Sequence, residues 1–474
     1  MLSVMKIFFT VLLLVAGIGL AAQPVVLTRK EAAAKKLWVK LDQDYKNPEG
    51  SQIETPFSIQ KAFQDMYEKM LDKEKLKDYT FWNTLYLNAE GKIDYLIFDV
   101  GIANFRVADG KREEPRGADS LVAIIASKIT PYLTGIVSRR TVGSKATSVT
   151  FVSFQTGLHK EPQVKKDSVV NGLAEALAMK DTLKVKTLGL TQSLLTTVPD
   201  VIYRFPNLEQ LFLVDNDIET VDLDMARLPK LRHVDLSRNV LRDNSIAISK
   251  NKSLQLLNLQ KNLITDIPRA ARNCKKLETL WLGNNRMTGL TNASFSKLKP
   301  VKDLNFYKAE VAVLPKGIRK MRRLEVLDLY YNKLETLPKS ITKLKRLTHF
   351  AVSHNQLTAL PKRIDKLKRV HTLYAHHNHL SKLPDRITRM KELRIVDLGY
   401  NWLTTFPSQL VAFTNLQELD LSANNFPDFP MQLLQIRKLD KLHLRGNPFL
   451  GQDAERKYSE QLSQLKSKNI EVFY

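Results

Sequence analysis

The sequence predicts an α/β solenoid, a parallel sheet built from one short strand per coil, preceded by a small α+β domain. Three observations carry that expectation. From Val185 to Phe449 the chain repeats with a period of 23 residues. Within each period apolar residues alternate briefly and are then followed by an asparagine. Residues 25–165 show no such period and mix helical with alternating patterns.

Units begin at Val185, Leu208, Leu231, Leu254, Leu277, Val301, Leu324, Leu347, Val370, Leu393, Leu416 and Leu439. Every step is 23 residues except Leu277 to Val301, which is 24. The unit reads L-x-x-L-x-L-x-x-N-x-L and then L-P-x-x-I-x-x-L-x-x, most clearly in Leu324 to Arg346 and Leu347 to Arg369. L-x-x-L-x-L turns alternate side chains of a short strand inward and leaves those between them facing out. The asparagine stands where the strand must turn, and its amide can satisfy backbone groups from both sides. Ten of the twelve units carry it; Ser193 and Ala309 depart. The Ala309 unit follows the longer step, so an irregularity is expected near Pro300 to Val311. A unit of this kind cannot bury an apolar face alone, so the units stack, and twelve strands at ~4.8 Å make a strip roughly 55 Å long.

These residues resemble the leucine-rich repeat family across 185–449, in a form similar to bacterial secreted proteins with 23-residue LPxxI repeats. The resemblance implies a horseshoe with a concave parallel sheet that binds ligands.

The ends need caps. Residues 168–184 form the expected front cap, with an amphipathic helix over 168–180, and residues 450–474 the back cap, with Ala454, Tyr458, Leu462 and Leu465 at helical spacing before a strand at Ile470 to Tyr474. In the 25–165 domain, helices are expected at Ala32 to Tyr45, Phe57 to Leu76 and Leu121 to Ile129. Strands are expected at Thr84 to Leu87, Ile93 to Val100 and Thr147 to Phe154. That order resembles the C-terminal domain of bacterial TonB-type proteins. Asp94, Asp99 and Asp119 are expected to be solvated carboxylates.

Residues 1–22 read as a cleaved secretory signal peptide: Lys6, an apolar run from Ile7 to Val15, then small residues at Gly19, Ala21 and Ala22. The run is shorter than the ~20 residues a spanning helix needs, and no cysteine follows it for lipidation. The expected location is therefore secreted or periplasmic, with no transmembrane segment after cleavage. The sole cysteine, Cys274, falls in an apolar column and is expected in the core. An exported repeat protein without disulfide-bonded caps points to a bacterial source.

Lys and Arg total 73 against 49 Asp and Glu, a net charge of +24. Runs at Arg319 to Arg323, Lys343 to Arg346 and Lys366 to Arg369 recur in one part of the unit, a basic convex flank that could meet an anionic cell surface.

The binding residues are expected at the fifth, seventh and eighth positions of units five to ten: Trp281, Tyr307, Tyr330, Tyr331, His354, Tyr374, His376, His377 and Tyr400. Outer units hold Thr191, Ser237, Gln260, Ser422 and Ala423 there. Exposed rings in adjacent columns invite a partner. Six of the nine histidines lie between His349 and His379, and are expected to be polar contacts rather than metal ligands. No Gly-rich phosphate loop and no Ser/His/Asp constellation is visible, so neither a cofactor, an enzymatic reaction nor a nucleic acid partner is expected. The expected function is non-catalytic recognition of a protein, peptide or glycan. The alternative makes the 25–165 domain an enzyme or a cell-envelope docking module that the repeats target.

Overall fold

The computed structural model describes residues 23–45, 55–71, 79–102, 118–139, 147–153, 168–451 and 453–474. The expected signal peptide lies outside them. The chain divides into two compact units, residues 1–163 and 164–474.

The first unit is a four-stranded mixed sheet in the order β1 (Val25–Thr28), β3 (Ile93–Ile102), β2 (Tyr79–Leu87), β4 (Thr147–Ser153). β1 runs parallel to β3, while β2 is antiparallel to both β3 and β4. The sequence reading has no β1, and it starts β2 five residues late, because Tyr79 to Asn83 is too mixed to read as alternation. The first expected helix is two, Arg29–Ala34 and Leu37–Asp44, broken where Lys36 turns left-handed at φ 53°. Phe57–Met70 packs Ile59, Phe63, Met66 and Tyr67 into the core. Asp94 is not a solvated end: it accepts hydrogen bonds from the Tyr45 hydroxyl at 2.7 Å and from Asn88 at 3.0 Å. The side chain of Asp119 lies outside the described residues.

The second unit is a leucine-rich repeat solenoid with a 14-stranded, all-parallel sheet. Twelve strands come one per repeat, at the third to fifth positions, as in Val326–Asp328 and His349–Ala351. Equivalent residues pair directly, so Leu304, Leu327, Phe350, Leu373 and Val396 stack fourth position on fourth position. Every one of these is buried. The other two strands belong to the ends. Val169–Asn171 adds an edge in front, so the front cap is a strand followed by a short helix, Leu173–Ala178, and not the single helix expected. Arg204 donates to the carbonyls of Ala176, Leu177 and Met179, which terminates that helix. At the back, Glu471–Phe473 pairs with Lys441–His443, and Ala454, Tyr458, Leu462 and Leu465 are buried beneath it.

The asparagine ladder does what its chemistry allows. Asn378 donates to the carbonyls of Val352, Ala375 and His376, and its Oδ1 accepts the Leu357 amide at 2.9 Å. The L-P-x-x-I half makes a 3₁₀ turn in which the proline carbonyl accepts the isoleucine amide, as Pro338 does from Ile341 and Pro384 from Ile387. Units two and three lack that proline and instead pair two outer strands, Val221–Leu223 and Ile246–Ile248.

The longer step leaves the sheet in register, with Leu280 opposite Leu304. The extra residue is absorbed outside the sheet, near Lys297 at φ 62°, and Glu310 is left-handed as well. Where Ala309 replaces asparagine, its own carbonyl takes the Met287 amide at 2.8 Å, the donor a side-chain oxygen serves elsewhere. Cys274 is buried, with Asn251 Nδ2 3.4 Å from its sulfur, and burial pushes the thiol pKa up.

Candidate functional site

Positions five and seven lie on the sheet face opposite the buried fourth and sixth positions. The fifth position has a structural task as well. Asp328, Asp397 and Asp420 each accept the amide two residues on, from Tyr330, Gly399 and Ser422, and Asn305 does the same for Tyr307. This fixes the exit of each strand and presents the seventh side chain outward.

The eighth position then turns left-handed in all twelve units, from Gln192 at φ 52° to Gly446 at φ 72°. In units seven to ten it carries rings. Tyr331, His354, His377 and Tyr400 form one continuous stack, with centroids 3.9, 3.9 and 4.0 Å apart and planes within 20°. Lys308, one unit earlier in the same column, places its ammonium 4.9 Å over the Tyr331 ring.

The seventh-position rings pack against this column. Tyr307 stacks on Tyr330 at 5.9 Å, and Tyr330 meets Tyr331, His354 and His376 edge-on or tilted at 4.6 to 5.2 Å. Seven of the nine expected site residues therefore form a single connected surface. Trp281 and Tyr374 stand apart from it. Trp281 donates through its indole nitrogen to Asp303 at 3.2 Å, which ties it to the sheet. Tyr374 is exposed in the fifth-position column.

One ring, Trp402, escaped the sequence reading, and His379 was expected only as a polar contact. His379 and Trp402 occupy the tenth position of units nine and ten and stack at 4.2 Å, with Trp402 53% exposed. Their signal was present as aromatics in one column of neighbouring units, but only three columns were read as outward-facing. His349 and His371 meet edge-on, at 4.4 Å, from positions three and two.

The local electrostatics follow from partial burial. Burial, then His377 and Lys308, bring the His354 pKa down to about 4. Burial, then His354 and His377, do the same for His376, also to about 4. Burial lowers His377 too. Asp397 is pushed up to about 7 by burial and then by Asp420 in the next unit. His376 Nε2 lies 3.7 Å from Asp397 Oδ2, and burial disfavours the charge on both. Tyr330 is raised to about 12 by burial and by Tyr331. A separate cleft of about 600 Å³ lies at the front of the solenoid, lined by Leu183, Lys184, Lys186 and Lys230 among others, and carries no aromatic residue.

The fold and this face define a leucine-rich repeat domain. Two family models match it: "Leucine Rich repeats (2 copies)" over residues 252–297, and "Leucine rich repeat" over residues 311–357 and 368–426. No curated protein matches the sequence. Among solved structures the solenoid is similar to a leucine-rich repeat protein of Leptospira interrogans, at 26% identity and a TM-score of 0.51 over 61% of this chain and 78% of that one. It is also similar to an internalin of Listeria monocytogenes, at 19% identity and a TM-score of 0.41 over 55% of this chain and 80% of that one. A third is the ectodomain of a membrane receptor kinase of Arabidopsis thaliana, solved in complex with Casparian strip integrity factor 2. It shows 21% identity and a TM-score of 0.36 over 56% of this chain and 39% of that one.

Proposed function

We propose that this chain is an exported, non-catalytic binding protein of bacterial origin that takes a protein, peptide or glycan on the exposed sheet face of units five to ten. One observation carries the reading: the connected ring surface from Tyr307 to Tyr400 fills seventh and eighth positions at which the outer units carry no aromatic residue. Its rings leave large apolar area open, with Tyr331 39% and Tyr400 54% exposed, and Tyr374, apart from them on the same face, is 38% exposed. Rings of this kind dominate binding energy where a partner covers them, and they stack equally on sugar faces and arginine side chains.

Export rests on the leader-like residues 1–22, and no described helix is long and apolar enough to cross a membrane. The alternative gives the first unit an enzymatic or docking role; in that unit Asp94 is held by hydrogen bonds from Tyr45 and Asn88.

The basic flank supplies a second contact, to an anionic cell surface. Burial, then Lys366 and Lys343, depress the Lys345 pKa, which marks cations crowded enough to gain from an anion between them.

The test uses the full chain and a Tyr331→Ala/Tyr374→Ala/Tyr400→Ala variant as baits against envelope and host material. A partner retained by the natural chain and lost by the folded variant supports the reading. A partner retained equally by both overturns it.

A further inference from the structure

We propose that His354, His376 and His377 hold a divalent transition-metal ion of the zinc class on the exposed face of the solenoid. The sequence reading took these histidines for polar contacts, because no carboxylate or thiol obviously completes a ligand set with His354 and His377. The ligand set assembles only across the sheet. His354 and His377 share the eighth position of adjacent units, and His376 is the seventh residue beside one of them.

One ring nitrogen from each of the three lies within 4.8 Å of the other two. His376 Nδ1 and His377 Nδ1 are 2.8 Å apart. A tetrahedral ion with metal–nitrogen bonds of ~2.0–2.1 Å holds its ligand nitrogens roughly 3.3 Å apart, so the group brackets the required spacing. At that distance one Nδ1 donates its proton to the other, and an ion held between them would replace this hydrogen bond.

The outer surroundings fit as well. With Nδ1 turned to the ion, His376 leaves Nε2 3.7 Å from Asp397 Oδ2, so a small ring rotation would bring that carboxyl group into hydrogen-bond range to orient the imidazole. An all-imidazole set suits zinc, copper or nickel and not the oxygen-seeking calcium or magnesium. Three protein nitrogens leave the fourth position facing the sheet's open side, where water or a carboxylate of a bound partner can complete it.

Binding requires one movement. A metal lies in the plane of each imidazole it bonds, and His354 and His377 now stack within 15° of parallel. One of these rings must therefore turn about its Cβ–Cγ bond as the ion enters. Cobalt(II) in the same site reports the geometry through its visible absorption.

The full chain, freed of metal by chelation, is titrated with zinc against a chromophoric chelator, and separately with cobalt(II). The expected result is one equivalent bound, with tetrahedral-type cobalt absorption. His354→Asn and His376→Asn each lose at least tenfold in affinity, Asp397→Asn loses roughly 10–100-fold, and His349→Asn is unchanged. The unfolding temperature of each variant without metal shows that the fold is intact. Absence of a stoichiometric site, or zinc binding that survives both His354→Asn and His376→Asn in folded protein, overturns the proposal.

Discussion

His354 and His377 stack ring on ring at 3.9 Å from two backbone positions that both lie in the left-handed region, at φ 51° and 50°. The strain and the stacking belong together. The eighth residue of every unit must turn left-handed for the chain to leave the sheet, at a cost of about 1–2 kcal/mol for a residue with a Cβ. Gly446 is the only glycine there. Units seven to ten offset the cost with aromatic contact along the column.

Ala423 meets the same φ, 47°, with no ring to stack. Ala423→Gly is therefore expected to raise stability by about 1 kcal/mol, read as a higher unfolding temperature. His354→Gly is expected to gain nothing, because the relief of strain is matched by the loss of two stacked neighbours, Tyr331 and His377.

Tyr374 and Tyr330 separate binding from folding. Tyr374 stands apart from the ring cluster, so Tyr374→Ala should leave the unfolding temperature nearly unchanged and weaken binding of a captured partner. Tyr330 touches Tyr307, Tyr331, His354 and His376, so Tyr330→Ala should lower stability by about 1 kcal/mol and weaken binding by more than about 2 kcal/mol. Stability lost and affinity kept in both variants would make the rings a structural ladder only.

Asn378→Ala removes three donated bonds and one accepted bond in a buried turn. Leaving such groups unpaired costs about 1–3 kcal/mol each, partly recovered by water, so a loss of roughly 3 kcal/mol is expected in chemical unfolding. Restoring the motif with Ala309→Asn should also destabilise. Ala309 is fully buried, and its carbonyl already serves Met287.

Asp397 and the histidines give opposite pH slopes. A carboxyl whose folded pKa is raised to about 7 stabilises the fold fully below its unfolded value of ~3.9 and loses that stabilisation as the pH rises through 7. Histidines lowered to about 4 stabilise above ~6.5 and lose their contribution as the pH falls toward 4. Asp397→Asn keeps the acceptor for the Gly399 amide, as Asn305 does for Tyr307, and removes the first slope. The variant should be more stable than the natural chain at pH 7, and it should gain more stability between pH 5 and pH 7. Urea midpoints at the two pH values check both.

Much of the solenoid was legible because a fixed period makes each residue's environment that of its neighbours one unit away. The fourth-position leucines and the asparagines were read correctly for that reason. The first unit was less legible. Nothing repeats there, and β1 is only four residues long, too short for alternation to show.

The sequence by itself determined the period, the inward leucines, the turn asparagines and the columns in which rings gather. These depend on local pattern, and a solenoid carries local pattern directly into space. Tertiary structure alone decided which columns touch. The left-handed eighth position joins Tyr331, His354, His377 and Tyr400 into one stack and brings His376 against it, while Trp281 is tied to Asp303 and Tyr374 stands alone. It also set Asp397 beside Asp420 and His376, and so its proton affinity. Those contacts run between units 23 residues apart. Their geometry is fixed by strand spacing and backbone angle, which no run of letters within one unit contains.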